Sequence, residues 1–326
     1  MAPRNLRIAE AIEPDSFSNG FLCPLTADPL SNLHERACAA SERAHVPFSG
    51  RPAAAVLLLD DGVWAPGVRV ESAAFSLTIP PALNAYTTAV ASGRRRVAAA
   101  AFSRPMSRVE RAFIEELPGG PFRAPSNQDA PPDNRVCVAE NVEPPALRRR
   151  LRPFLEEESF ESPREGVARA RSVAERALVP ASQFPVGCVL RARAGRLVSG
   201  VNVEPHADAA APAEWSHVLC AERNALGTAC SYGLLGAGAA DEEGAAADAN
   251  SAADDDSASP VLFLSCREDA NGSPCGACRQ LLVELLPGGV LWMDRAPETP
   301  PERARPSDLL PGSFRGTALS QRAPNA

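Results

Sequence analysis

The two halves of this chain repeat one pattern, and that repetition limits what the chain can fold into more than any other feature. Glu42-Arg43-Ala44-His45-Val46-Pro47-Phe48-Ser49 is answered by Glu175-Arg176-Ala177-Leu178-Val179-Pro180-Ala181-Ser182. The same offset, without a gap, sets Pro52 on Pro185, Gly62 on Gly195, Gly67 on Gly200 and Glu71 on Glu204. A later block, Met106 to Gly120, pairs with Cys275 to Gly289. There Glu115-Glu116-Leu117-Pro118-Gly119-Gly120 meets Glu284-Leu285-Leu286-Pro287-Gly288-Gly289. A repeat at this scale implies one fold built twice, and 326 residues give room for two cores.

The copies part company where chemistry would reside. Cys275 and Cys278 in Ser273-Pro274-Cys275-Gly276-Ala277-Cys278-Arg279-Gln280 have the two-residue spacing that lets two thiolates grip one zinc ion. Cys220, in Cys220-Ala221-Glu222-Arg223, can supply a third sulfur. Three protein ligands leave one tetrahedral position open, the mark of a catalytic zinc and not a structural one. Glu222 is not needed as a ligand, so its carboxylate is free for proton transfer beside the metal. With Asn84-Ala85 aligned to Asn224-Ala225, Pro80 stands opposite Cys220 and Ala82 opposite Glu222; Met106 and Val109 answer Cys275 and Cys278. None of the four can bind zinc or shuttle a proton, so the first copy is expected to be inert, with one zinc per chain.

Together these segments resemble the zinc motifs of the cytidine deaminases, of the small three-cysteine type: CAERNAL and SPCGACRQLLVEL. Phe184-Pro185-Val186-Gly187, Gly200-Val201-Asn202-Val203-Glu204 and Leu309-Leu310-Pro311-Gly312-Ser313-Phe314 match three further signatures in the family's order, covering roughly residues 165–314. The resemblance implies an α/β fold, helices layered on a mixed sheet (α/β/α), in two tandem copies. It implies hydrolytic deamination of cytidine or deoxycytidine in pyrimidine salvage, with Glu222 carrying protons from water to the ring and then to the departing ammonia. Deamination of a modified nucleoside such as blasticidin S, or a zinc-binding scaffold without turnover, are the alternatives. The resemblance further implies that Asn202 and Glu204 hold the ribose 3′-hydroxyl, Phe184 packs near the base and Phe314 reaches a neighbouring site in the oligomer. Arg223 would donate to the ligand sulfurs, offsetting the charge that three thiolates place on the metal. Small deaminases of this type assemble as tetramers, so a duplicated chain is expected to form a homodimer.

Composition narrows the partners. The net charge is −7, arginine supplies all the cationic side chains, and no basic stretch suits a nucleic-acid groove. A small nucleoside substrate is expected. No run is long enough for a membrane span, and MAPRNLRIAEAIEPDSF lacks the apolar core of a signal peptide. With thiolates reserved for zinc, a cytoplasmic location is expected. Cys23, Cys38, Cys137, Cys188, Cys230 and Cys266 read as packing residues.

Along the chain, residues 1–30 read as an arm, 31–120 as the degenerate domain, 121–160 as linker and end of the first copy, and 161–326 as the catalytic domain. Within the linker, Pro121–Pro145 is proline-rich and polar. Pro205–Val218 lengthens the Glu204-to-Cys220 interval relative to the first copy, and its His206-Ala207-Asp208 mimics an H-x-E metal motif without the helix that should follow. Gly236–Ser259, dominated by alanine, aspartate, glycine and serine, reads as a disordered surface loop. Replacing it with a short Gly/Ser linker is expected to leave the melting temperature nearly unchanged, since loop closure costs little and the segment buries little; a large drop on thermal denaturation would contradict that reading.

Overall fold

A computed structural model describes residues 29–125, 134–140, 142–156, 159–192, 195–204, 215–236, 259–267, 269, 271–295, 298–316 and 319. Most of the N-terminal arm, the His206–Asp208 motif and nearly all of the loop after Gly236 lie outside them.

Each half builds a five-stranded sheet. In the first, helix α1 (Pro29–Ser41) precedes a hairpin of β1 (Ala54–Leu59) and β2 (Trp64–Val68), turned at Asp60-Asp61-Gly62. Helix α2 (Pro81–Ala91), β3 (Val97–Phe102), α3 (Arg108–Glu115), β4 (Phe122–Arg123) and β5 (Val136–Ala139) follow. The second half repeats the layout with α4 (Pro163–Val173), β6 (Val186–Arg191), β7 (Leu197–Val201), α5 (Ala221–Ser231), β8 (Val261–Cys266), α6 (Gly276–Leu285) and β9 (Val290–Met293). Two short elements with no clear periodicity in sequence, β10 (Glu302–Ala304) and α7 (Pro306–Leu309), close it. No helix among the described residues is long and apolar enough to cross a membrane.

The first strand of each hairpin reads as a near-continuous apolar run because both sheet faces are covered. All six residues of Ala54-Ala55-Val56-Leu57-Leu58-Leu59 are buried. In β6 the two faces can be told apart. A Cβ on Gly187 would run into Ala170 and Ala174 at the end of α4, whereas the next residue, Cys188, sends its Sγ to Ala221 O of α5 at 3.1 Å. The glycines matched by the repeat have a shared cause. A Cβ on Gly67 would lie 2.3 Å from Pro81 O, and one on Gly200 2.3 Å from Ala221 O. In both halves a helix sits hard on the returning strand, at a distance only glycine permits.

The halves differ in their last two sheet positions. In the second, the turn after α6 leads into β9, parallel to β8, and β10 pairs antiparallel outside it. In the first, the equivalent turn leads to β4 at the sheet edge, and β5 enters between β4 and β3, antiparallel to both. The proline-rich stretch read as a linker is thus part of the first sheet. Val136-Cys137-Val138-Ala139 is a fully buried strand hidden in sequence by the polar residues on both sides. The chain then stitches the two sheets: Leu151 N donates to Trp64 O at 2.8 Å and Leu155 N to Leu197 O at 2.9 Å. Among the spare cysteines, Cys137, Cys188 and Cys230 are buried as expected. Cys266 is half-buried, whereas Cys38 is exposed on α1 beside His34, and Cys23 lies outside the described residues.

Helices α2 and α5 meet at the centre, each also touching the other half's hairpin, and one hydrophobic cluster runs through both halves. Buried amides hold the seam. Asn84 Nδ2 donates to Val68 O at 2.9 Å and across to Gly227 O at 3.0 Å. Its counterpart Asn224 donates to Val201 O at 2.9 Å and across to Thr87 O at 3.1 Å. Thr88 and Thr228 share a hydroxyl bond of 2.7 Å. Because the repeat pairs Val68 with Val201 and Asn84 with Asn224, this contact maps onto itself: a two-fold interface within one chain. Asn84→Ala is expected to destabilise the protein by about 1–3 kcal/mol, since it leaves buried carbonyls without their donor; a calorimetric melt equal to wild type would show that the seam does not depend on the amide.

Candidate metal centre and active site

Two helix starts create the centre. Cys220 is the N-cap of α5 and Cys275 the N-cap of α6, while Cys278 lies one turn into α6. Free N–H groups at a helix start favour thiolate over thiol. Cys220 Sγ and Cys275 Sγ are 3.7 Å apart, and Cys275 Sγ and Cys278 Sγ 3.5 Å. Zinc–sulfur bonds of about 2.3 Å at tetrahedral angles put sulfurs about 3.8 Å apart, so the cluster fits zinc. It is the sole cluster of three potential ligands among the described residues. Hydrogen bonding with Cys220 and Cys278 draws the Cys275 thiol down to about 2. The same coupling to Cys275 pushes Cys220 up to about 12.

Glu222, on the first turn of α5, is 3% exposed. Burial pushes its carboxyl up to about 7, and the Cys275 charge adds to this against the opposing pull of Cys278 and Arg223. A carboxyl poised near neutrality beside a metal cradle can both take and return a proton.

The other expected residues lie on neighbouring segments. Val203 pairs with Leu219, next to Cys220, which carries the neighbours Asn202 and Glu204 alongside the metal segment. Asn202 ties down the turn before β6, accepting from Val186 N at 2.8 Å and donating to Phe184 O at 2.9 Å. Glu204 is buried and accepts from Ala181 N at 3.0 Å and Ser182 N at 3.1 Å. Phe184 stands 36% exposed and Phe314 52% exposed. The backbone of Phe314 is fixed to α6 by Gln280 Nε2 at 2.7 Å. Arg223 sends Nη2 to Leu77 O of the first half at 2.8 Å, and its buried Nε has no hydrogen-bond partner among the described residues.

Three residues had no assigned role in the motifs. Arg279 buckles the cysteine loop, donating to Pro274 O at 2.7 Å, Ser273 Oγ at 3.1 Å and Leu309 O at 3.1 Å. Glu284, a turn beyond Gln280 and bonded to it at 2.6 Å, receives two donors from the first half. The i, i+4 spacing of that pair was the available signal. His217, three residues before Cys220, is buried at 4% exposure against the first half. In that half, Pro80 caps α2 where Cys220 caps α5. Pro80, Ala82, Leu83, Val109 and Phe113 line a small cavity there, together with His217.

Comparison with known proteins agrees with this geometry. Residues 161–293 match the family described as the cytidine and deoxycytidylate deaminase zinc-binding region, and residues 9–114 match a second model of the same description. The cytidine deaminase of Sporosarcina psychrophila is 32% identical over 161 residues, 48% of this chain and 94% of that protein. The cytidine deaminase of Mycobacterium tuberculosis is 32% identical over 148 residues, 44% of this chain and 84% of its own. Among solved structures, a Burkholderia pseudomallei cytidine deaminase aligns at 24% identity over 46% of this chain and 98% of that one, with a TM-score of 0.34. Two domain matches in tandem, a relative spanned almost whole by about half the chain, and three sulfurs spaced for zinc lead to one conclusion: this chain belongs to the zinc-dependent cytidine and deoxycytidylate deaminase family.

Proposed function

We propose that the second half hydrolyses cytidine or deoxycytidine to the corresponding uridine and ammonia, as in pyrimidine salvage. The observation that carries this reading is Glu222, a buried carboxyl on the first turn of α5, two residues from a three-sulfur cradle. Cys220, Cys275 and Cys278 would hold the zinc, and its Lewis acidity makes water nucleophilic at neutral pH. Glu222 would take a proton from the attacking water and deliver it to N3 of the pyrimidine, activating C4 for addition; it would then carry the proton of the new C4 hydroxyl to the amine as the C4–N bond breaks. Asn202 and Glu204 would hold the ribose 3′-hydroxyl, and Phe184 would pack near the base. The buried Nε of Arg223 is a donor available to the thiolates. Exposed Phe75, at 86%, and Phe314 favour a homodimer that covers them. The acidic charge favours a free nucleoside over nucleic acid, and unbridged cysteines favour the cytoplasm.

The loss of pyrimidine absorbance with cytidine, deoxycytidine and blasticidin S as separate substrates tests the reading; turnover of the last alone would move the function to the modified nucleoside, and turnover of none to a scaffold. Glu222→Gln is expected to keep zinc and nucleoside binding while kcat falls about 10²–10⁴-fold, measured by steady-state assay beside metal analysis. Cys275→Ala is expected to lose the metal, taking zinc from one per chain to near zero by elemental analysis; two zincs in the wild-type chain would refute an inert first half.

A further inference from the structure

Each segment that bears the metal site is held from the inert half. The loop entering α5 is held through His217, three residues before Cys220. His217 Nδ1 lies 2.8 Å from Glu116 Oε2, and the imidazole packs edge-on against Phe113 with centroids 5.3 Å apart. Helix α5 is held through Arg223 on Leu77 O. Helix α6 is held through Glu284, which accepts from Ser72 Oγ at 2.7 Å and from Ala73 N at 2.8 Å.

These contacts break the symmetry of the seam. Under the pairing of the repeat, His217 corresponds to Leu77, Glu116 to Leu285 and Phe113 to Leu282. A polar, hydrogen-bonded contact thus stands on the side that secures the Cys220 loop, where the two-fold-related position carries leucines. The site lost from the first half also contributes. Pro80, Ala82 and Val109, which replaced two sulfurs and a carboxylate, line the apolar cavity that Ser216 and His217 border. Where the second half carries metal ligands, the first half thus offers a cavity that receives the loop leading to Cys220.

We propose that the inert half acts as a positioning scaffold for the zinc cradle. Glu116, through His217, and Ser72 with Ala73, through Glu284, fix the Cys220 loop and α6 relative to one another. They thereby set the sulfur spacing and the placing of Glu222. None of these groups is catalytic; His217 and Glu284 are positioning residues. The physical stake is high because the three ligands come from two separate helix starts, and a misplacement of about 1 Å in a reacting site costs about a hundredfold in rate. The kinetic side of this inference rests on the deaminase reading above, whereas its metal side does not.

The test uses the full-length, zinc-loaded protein with Glu116→Leu, Ser72→Ala and the double variant, all altered in the inert half. Zinc transfer to a chromogenic chelator is expected to be about tenfold faster in each single variant and about a hundredfold faster in the double. The visible bands of the cobalt(II)-substituted protein are expected to shift. With cytidine, kcat is expected to fall about tenfold with KM within about twofold, and Glu116→Gln, which keeps an acceptor for His217, to stay near wild type. Wild-type chelator kinetics and cobalt bands in the double variant would overturn the proposal. Should the double variant not fold, Ser72→Ala alone, which removes one hydroxyl, decides by the same two readouts. Absence of cytidine turnover in the wild-type protein would sink the deaminase reading and leave the metal measurements able to decide this one.

Discussion

The amide seam between α2 and α5 is the constraint on which the rest of this molecule depends. Asn84 and Asn224 are wholly buried, and a buried amide must find partners or cost several kilocalories. Each finds one carbonyl in its own half and one in the other. Registration of the halves is therefore set by directional bonds, and the surrounding apolar cluster adds strength without having to supply that specificity. Once α5 is registered, the position of its N-cap Cys220 follows, since a helix is stiff over eleven residues.

From the seam outward, the architecture delivers the site by short steps. Gly200 lets α5 approach β7 closely. The Val203–Leu219 pairing brings the strand end with Asn202 and Glu204 beside the cysteine loop. Arg279 closes the second cysteine loop on three acceptors. The chemistry then comes from burial: a carboxyl removed from water beside a charged sulfur cannot ionise as an exposed one does.

Much of this was legible in the residues. The repeat announced two copies, the glycines at 67 and 200 marked a shared close approach, and the C-x-x-C with its distant Cys220 announced the metal. Ala54–Leu59 is legible too, because a continuous apolar run bounded by turn residues has few other solutions. What escaped detection was non-local. Val136–Ala139 was concealed by its proline-rich surroundings, and its insertion between β3 and β4 leaves no trace in periodicity. Glu116, Ser72 and the Leu77 carbonyl act on residues about a hundred or more positions away, and one of them acts through backbone, which carries no residue code at all. Arg223 was read toward the sulfurs from its motif alone; the structure shows its guanidinium bonded instead to Leu77 O of the other half.

The leucine-for-histidine difference across the pseudo-two-fold has an evolutionary consequence. In an assembly of identical subunits, any substitution appears at every symmetry-related place, so a residue useful at one copy of a contact must be tolerated at all of them. A duplicated gene segment removes that coupling. His217 and Leu77 occupy equivalent positions in space, yet each can drift to suit its own surroundings, as can Glu116 and Leu285. Joining the copies in one chain thus allows a division of labour that an equal pair cannot reach, with one copy specialising in reactivity and the other in support.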